Sequence, residues 1–537
     1  MTEPLLRISD LRIGVRTANA VRPLVEGVDL AIEPGQRVAL VGESGSGKTL
    51  TALSVMRLNP PPTEVTGGRI ELAGQDIVTA TERDMVGLRG ARMAMIYQDP
   101  LSSLNPVRTV GHQLVEAIRA HTTIRPRAAK RRAIDLLGEV GVPDPATRVE
   151  DYPHQFSGGM RQRVMIAMAI SCSPSLLIAD EPTTALDVTT QARILDLLVE
   201  LSDQRDMAVL FITHDLAIAS GFCARINVMR HGKLVEHGRM GTVLAAPAHP
   251  YTRTLLDAVV TLDAEPKSAA VEPSDADTPL VEALDVVRVF GRSVRAVDGV
   301  SLSIPRGGTF GLVGESGSGK STLAGLLLGL DRPDSGSVRF AGTDLATLSR
   351  EALRARRRHM QVVLQDPIGS LNRRKTVAQI VDLPLAVHGR MGRAQRRERV
   401  AELLDLVQLP KELLGRYPRE LSGGQCQRVN IARAIALKPD FLVLDEAVSA
   451  VDVVIQAQIL DLLGDLQDEL GLTYLFVSHD LAVVRYMAPR IAVMYRGRIV
   501  EQGDRADIFR NPAHEYTRQL IDAIPDVELD EEERVSG

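Results

Sequence analysis

Short apolar runs punctuate the chain at intervals: "RVALV" from Arg37, "SLLIAD" from Ser175 and "AVLFIT" from Ala208, then "TFGLV" from Thr309, "FLVLD" from Phe441 and "YLFVS" from Tyr474. Each ends on a glycine, a paired acid or a histidine and is followed by a stretch of helical character. Runs this short and this apolar read as strands buried on both faces, and strands alternating with helices imply a parallel α/β sheet. Two later segments have helical spacing instead. Tyr251, Leu255 and Leu256 in "PAHPYTRTLL", and Tyr516, Leu520 and Ile521 in "PAHEYTRQLI", predict a short helix packing back on a core.

The runs come in two sets because the chain repeats itself. "GESGSGKT" at Gly42 returns as "GESGSGKS" at Gly314, "YQDPLSSLN" as "LQDPIGSLN", "FSGGM" as "LSGGQ" and "ITHDLA" as "VSHDLA". One constant offset carries Ser157 to Ser422, Asp180 to Asp445, His214 to His479 and Pro247 to Pro512. Small insertions separate the copies only upstream of Ser157. Two tandem domains are therefore expected, 1–260 and 280–525. The segment 261–279, rich in Ala, Pro, Asp and Ser, reads as a flexible linker, and 526–537 as an acidic, solvated tail.

Composition narrows the class. The 537 residues are 45% hydrophobic and 24% charged with a net charge of −5, so no basic field points to nucleic acid. Cys172, Cys223 and Cys426 are scattered, without zinc, iron–sulfur or disulfide spacing. The N-terminus lacks a secretory pattern. The most apolar stretch, from Val164, is broken by Ser173, Pro174 and Ser175, short of the roughly 18–20 residues a membrane span requires.

Each G-x-x-x-x-G-K-[ST] follows an apolar strand and precedes a helix, the context of a phosphate-binding loop. In Gly42, Ser44, Gly45, Ser46, Gly47, Lys48 and Thr49, and in Gly314, Ser316, Gly317, Ser318, Gly319, Lys320 and Ser321, backbone N–H groups can close around phosphate at a helix N-terminus. Lys48 and Lys320 are lysines in a chain that otherwise prefers arginine, as a loop too tight for a guanidinium requires. Thr49 and Ser321 are expected to ligate Mg²⁺ together with Asp180 and Asp445. Glu181 and Glu446, next in sequence, are expected to polarise the attacking water of ATP hydrolysis.

"FSGGMRQR" and "LSGGQCQR" complete a pattern that resembles the ATP-binding cassette (ABC) ATPases, across nearly the whole chain outside linker and tails. The resemblance implies two P-loop, RecA-like α/β domains, each with an antiparallel β subdomain and a helical signature subdomain. It assigns Gln98 and Gln365 to Q-loops that touch Mg²⁺, "TALD" and "SAVD" to D-loops, and His214 and His479 to γ-phosphate contacts. It further implies two ATP held head to tail, one by Gly42–Thr49 with Ser422, Gly423 and Gly424, the other by Gly314–Ser321 with Ser157, Gly158 and Gly159. An aromatic usually stacks on adenine; Phe290 suits that role, whereas Val15 stands at the equivalent place in the first copy. Met160 replaces the usual Gln and Cys426 the commoner Arg, the latter read as a neutral replacement. Both acid pairs are intact, so both sites are expected to hydrolyse ATP.

Within that family the flanks "QDPLSSLNP" and "QDPIGSLNRR", "YPHQFSGGM" and "YPRELSGGQ", and the "HPYTR" and "HEYTR" tails resemble the oligopeptide, dipeptide and nickel importers. This implies a motor peripheral at the cytoplasmic face of the inner membrane, working with two permease subunits and an extracytoplasmic binding protein. Residues from Leu101 to Pro106 and from Ile368 to Arg374 would meet the permeases. No cysteine cluster follows either tail element, so no iron–sulfur cluster is expected. Peptides are the expected cargo, with nickel chelates, glutathione or haem as alternatives. Translation and repair ATPases fit less well, because the chain lacks their long charged tether or zinc modules, and efflux motors fit less well because they rarely carry long C-terminal elements like those present here.

Overall fold

The computed structural model describes residues 3–16, 20–98, 103–184, 186–260, 279–291, 294–388, 391–449 and 451–524. Leu101 and Ser102, all of the expected linker except Pro279, and the acidic tail lie outside them. The chain divides into two compact units, the first drawn mainly from residues up to Val259 and the second mainly from Val260–Ile524.

In the first unit a six-stranded sheet runs in the order Lys233–Arg239, Arg225–Arg230, Arg37–Val41, Ala208–Thr213, Leu176–Asp180, Met93–Ile96. All neighbours are parallel except the outermost Lys233–Arg239, which is antiparallel to Arg225–Arg230. Leu176–Asp180 and Ala208–Thr213 are buried at every residue, because helices cover both faces of a parallel sheet. The second unit repeats the order with Arg498–Asp504, Arg490–Tyr495, Thr309–Val313, Thr473–Ser478, Phe441–Asp445 and Met360–Val363.

Each unit adds a four-stranded antiparallel sheet. In the first its strands are Val21–Ile32, Leu6–Arg16, Thr63–Leu72 and Gln75–Asp76. Leu6, Ile8, Leu11 and Ile13 are buried and alternate with more exposed residues, as in a sheet with one wet face. The alternation first slips at a bulge around Asp10, whose backbone is left-handed at φ 46°, and the register shifts again before Gly14. The counterpart strand Val281–Phe290 slips at Asp285, φ 48°.

Helices Val110–His121, Pro126–Glu139 and Gly158–Ala169 form the helical region of the first unit, and Val377–His388, Arg393–Leu406 and Gly423–Ile435 that of the second. Both units are thus α/β, with the antiparallel and helical additions expected. No helix among the described residues is long and apolar enough to cross a membrane.

Candidate functional site

Parallel strands deliver their C-terminal ends to one edge of the sheet. Val41 pairs with Thr213, and Asp180 with Ile212, so the residues that follow these strands, Gly42, Glu181 and His214, gather at that edge although far apart in sequence. Val313, Asp445 and Ser478 do the same in the second unit.

The glycine loop turns directly into the helix Lys48–Met56, with Gly47 as its N-cap at φ 104°; Gly319 caps Lys320–Leu327 at φ 109°. Left-handed backbone here favours glycine, and a Cβ on Gly319 would lie 2.1 Å from the Ala296 carbonyl. The first glycine is needed for the same steric reason: a Cβ on Gly42 would lie 2.1 Å from the carbonyl oxygen of Met229. Inside the loop Lys48 is 5% exposed and donates Nζ to the carbonyls of Gly42, 2.6 Å, and Glu43, 2.9 Å. Lys320 does the same to Gly314, 2.7 Å, and Glu315, 2.9 Å. Burial lowers the Lys320 pKa, against the pull of Glu446 and Asp445. Ser44, Gly45, Ser316 and Gly317 are exposed at the loop crest. The Ser46 and Ser318 hydroxyls are buried with no hydrogen-bond partner, a costly state that an anionic oxygen would relieve.

Behind the loop, Thr49 Oγ1 donates to Asp180 Oδ1 at 3.2 Å, and Ser321 Oγ to Asp445 Oδ1 at 3.2 Å. Adjacent ligands of octahedral Mg²⁺, each about 2.0–2.1 Å from the ion, are about 2.9 Å apart, so each hydroxyl–carboxylate pair fits that cation with little adjustment. Burial, then the neighbouring Glu181 charge, pushes Asp180 up to about 6. A buried carboxylate so destabilised as an anion suits a site completed by a cation. Burial likewise raises Asp445.

Glu181 and Glu446 have left-handed backbones, φ 46° and 48°, a conformation that costs a non-glycine residue about 1–2 kcal/mol. Each backbone N–H is tied to the neighbouring strand, at Ile212 and Val477 respectively. The strained turn brings the Glu181 carboxylate between Gln98, Nε2 to Oε2 at 2.6 Å, and His214, Nδ1 to Oε1 at 3.1 Å. Gln365 reaches Glu446 at 2.5 Å, and His479 Nδ1 lies 3.5 Å from it. A carboxylate only accepts, so each glutamine presents its amide nitrogen and leaves Oε1 available to another partner.

Burial raises the Glu181 pKa, but the hydrogen bond and charge of His214 and the Thr184 hydroxyl outweigh it and hold the acid down at about 2. His214 is correspondingly raised: Glu181 overcomes the opposing effect of burial. Glu446 is also lowered, with burial opposed by His479. The units differ in one donor. Thr184 Oγ1 reaches Glu181 Oε2 at 3.0 Å, whereas its counterpart Ser449 bonds the Glu446 backbone carbonyl.

The SGG residues stand on other elements. Ser157 and Ser422 are exposed N-caps of Gly158–Ala169 and Gly423–Ile435, with Gly158, Gly159, Gly423 and Gly424 in the first turns. Phe290 ends its strand 44% exposed, the Arg288 guanidinium 5.0 Å from its ring centroid.

One pair of residues joins the site that sequence reasoning had placed only in a packing helix. Tyr251 and Tyr516, on Pro250–Asp257 and Glu515–Asp522, are buried as expected. Their hydroxyls also accept from the P-loop amides of Glu43, 2.9 Å, and Glu315, 2.8 Å. The available signal was that the repeat keeps His, Tyr, Thr and Arg of this segment while changing Pro250 to Glu515 and Thr254 to Gln519.

A glycine cradle around a buried lysine, an oxygen pair suited to a divalent cation, and a strained acid held by glutamine and histidine define a P-loop ATPase site, once in each unit. Family comparison agrees: the model described as "ABC transporter" matches residues 25–184 and 297–449. That described as "Oligopeptide/dipeptide transporter, C-terminal region" matches 235–285 and 500–536. The chain belongs to the ABC transporter ATP-binding proteins and carries two cassettes in one polypeptide.

It is 45% identical over 550 residues to the peptidoglycan transport ATP-binding protein YejF of Agrobacterium fabrum, covering 100% of this chain and 99% of that one. It is 43% identical over 561 residues to the glutathione import ATP-binding protein GsiA of Shigella boydii, covering 97% and 89%. A solved cassette, cbiO1 from Clostridium perfringens, is 28% identical with a TM-score of 0.41, covering 44% of this chain and 92% of that one.

Proposed function

We propose that this ATPase is the motor of a peptide importer, acting at the cytoplasmic face of the inner membrane on two separate permease subunits fed by an extracytoplasmic binding protein. The observation that carries the reading is the tail element: both copies match the oligopeptide and dipeptide transporter region, and relatives similar along the whole chain are named for transport of peptidoglycan and import of glutathione. Nickel chelates and haem are less favoured cargoes, since neither of those two relatives is named for them.

In this reading Gly42–Thr49 and Gly314–Ser321 hold the ATP phosphates, and Thr49, Asp180 and Gln98, or Ser321, Asp445 and Gln365, hold Mg²⁺. The cation would neutralise charge on the β- and γ-phosphates. Glu181 and Glu446, ionised at neutral pH, orient and polarise the attacking water. His214 and His479 position those carboxylates and reach the γ-phosphate, and Gln98 and Gln365 link carboxylate to cation. Ser157, Gly158 and Gly159, with Ser422, Gly423 and Gly424, offer N–H donors at helix N-termini to nucleotide phosphate. Phe290 supports adenine by stacking. The segments 103–106 and 368–374 receive the permeases.

The deciding experiment is Glu181→Gln with Glu446→Gln in the assembled transporter. Loss of at least about a hundredfold in ATP turnover with ATP still bound is expected for removal of both bases. Undiminished turnover would remove these acids from the mechanism. Uptake of labelled muropeptide set against labelled glutathione then separates the two cargoes.

A further inference from the structure

We propose that Tyr251 and Tyr516 are positioning residues of the nucleotide sites and make the seating of each tail helix responsive to phosphate in the P-loop. The inference rests on the reading that these loops hold ATP phosphates. Its basis is a relay through one residue. The Glu43 N–H donates to Tyr251 Oη at 2.9 Å, while the Glu43 carbonyl accepts from Lys48 Nζ at 2.9 Å. Glu315 stands in the same way between Tyr516, 2.8 Å, and Lys320, 2.9 Å. Phosphate competes for the ammonium that now holds that carbonyl, so its arrival changes one side of a residue whose other side is held by the tail.

The tail is built to transmit such a change. Glu236 accepts from the backbone N–H groups of Ala248, 2.7 Å, and His249, 3.1 Å, and His249 Nδ1 caps the helix by accepting from Tyr251 N–H at 3.1 Å. Glu501, Ala513, His514 and Tyr516 repeat the arrangement with the same distances. The tyrosine rings are clamped as well, Tyr251 beneath Arg230 at 4.6 Å and Tyr516 against Tyr495 at 4.2 Å. With the ring and the helix start both fixed, the hydroxyl has little freedom to follow a moving loop. In the first unit this helix is also the last element among the described residues, ending at Asp257. Linkage makes the effect reciprocal: a better seated helix strengthens nucleotide binding, and nucleotide protects the helix.

The test uses the full-length chain carrying Tyr251→Phe and Tyr516→Phe, with Lys48→Ala and Lys320→Ala as a separate variant. We expect the Phe variant to raise the KM for ATP about fivefold, equivalent to about 1 kcal/mol, with kcat within about twofold. Hydrogen exchange should show that Mg·ADP protects peptides 247–258 and 512–523 in the parent chain and not in the Phe variant. Glu236→Gln with Glu501→Gln, which loosens the helix without touching the loop, should raise KM in the same direction. Unchanged KM in both tail variants, or intact nucleotide-induced protection in the Phe variant, overturns the proposal. A fall in melting temperature with KM unmoved also overturns it, leaving the tyrosines purely structural. If the lysine variant binds ATP normally, the P-loop reading fails instead.

Discussion

Val15 and Phe290 occupy the same place in the two antiparallel sheets. Leu6 pairs with Ile32 as Val281 pairs with Ile304, the bulges at Asp10 and Asp285 coincide, and the strands then bring Val15 opposite Arg22 and Phe290 opposite Val294. The exposed aromatic ring of the second cassette is therefore an aliphatic side chain in the first. Phe290→Ala should weaken nucleotide binding at the second site by about 1–3 kcal/mol, the worth of a base–aromatic stack. Val15→Phe should tighten the first. Titration with a fluorescent ATP analogue, with the other cassette silenced at its P-loop lysine, measures each site alone.

Cys426 takes the place of Arg161 in the signature helix. Arg161 Nε bridges the carbonyls of Pro153, 3.1 Å, and Phe156, 3.0 Å, while the Cys426 thiol donates only to Pro418, the counterpart of Pro153, at 3.6 Å. The thiol is fully buried, and burial pushes it and Cys223 up from the ordinary thiol pKa. Cys172 is partly exposed. A limited dose of iodoacetamide at neutral pH should add one adduct to the native chain, at Cys172, and three after denaturation, read by intact-mass spectrometry.

The same helix start carries a second difference. Gln425 Oε1 accepts from Ser422 N–H at 3.0 Å and completes a capping box that Met160 cannot form at Ser157. Met160→Gln should raise the stability of the first unit by about 0.5–1 kcal/mol, seen as a small upward shift of its thermal transition.

Glu236 and Glu501 both lie below the ordinary glutamate pKa. Partial burial acts the other way, but two backbone N–H groups donating to each carboxylate and the neighbouring His249 or His514 act to lower the pKa. A lowered native pKa gives stability that is complete above the unfolded value of about 4.3 and is lost as pH falls through the native one. The stability gap between the parent chain and Glu236→Gln with Glu501→Gln should be constant near neutrality and shrink below about pH 4. Urea titrations at a series of pH values read that gap directly.

Much of this molecule is legible in one dimension because its chemistry lies where strands end. Gly42, Asp180, Glu181 and His214 each follow an apolar run, and a parallel sheet brings such positions to one edge without further instruction. The duplication then supplied an internal check on every motif. The left-handed backbone of Glu181 was not legible, since a glutamate carries no mark of φ and the turn is imposed by its tie to Ile212. Nor was the bond from Glu43 to Tyr251, because helical spacing identifies a buried ring and says nothing of what its hydroxyl meets across the fold. Likewise the different partners of Thr184 and Ser449 arise from rotamer choice inside otherwise matching turns.

The strand order also dictates a timetable for synthesis. Arg37–Val41, which launches the P-loop, is flanked on its two sides by Ala208–Thr213 and Arg225–Arg230. A ribosome that has made the glycine loop must therefore continue through the whole helical region before either neighbour exists. Until then the nascent chain carries an unpaired apolar strand. The second cassette repeats the delay with Thr309–Val313 awaiting Thr473–Ser478 and Arg490–Tyr495, so each half completes its parallel sheet only near the end of its own translation.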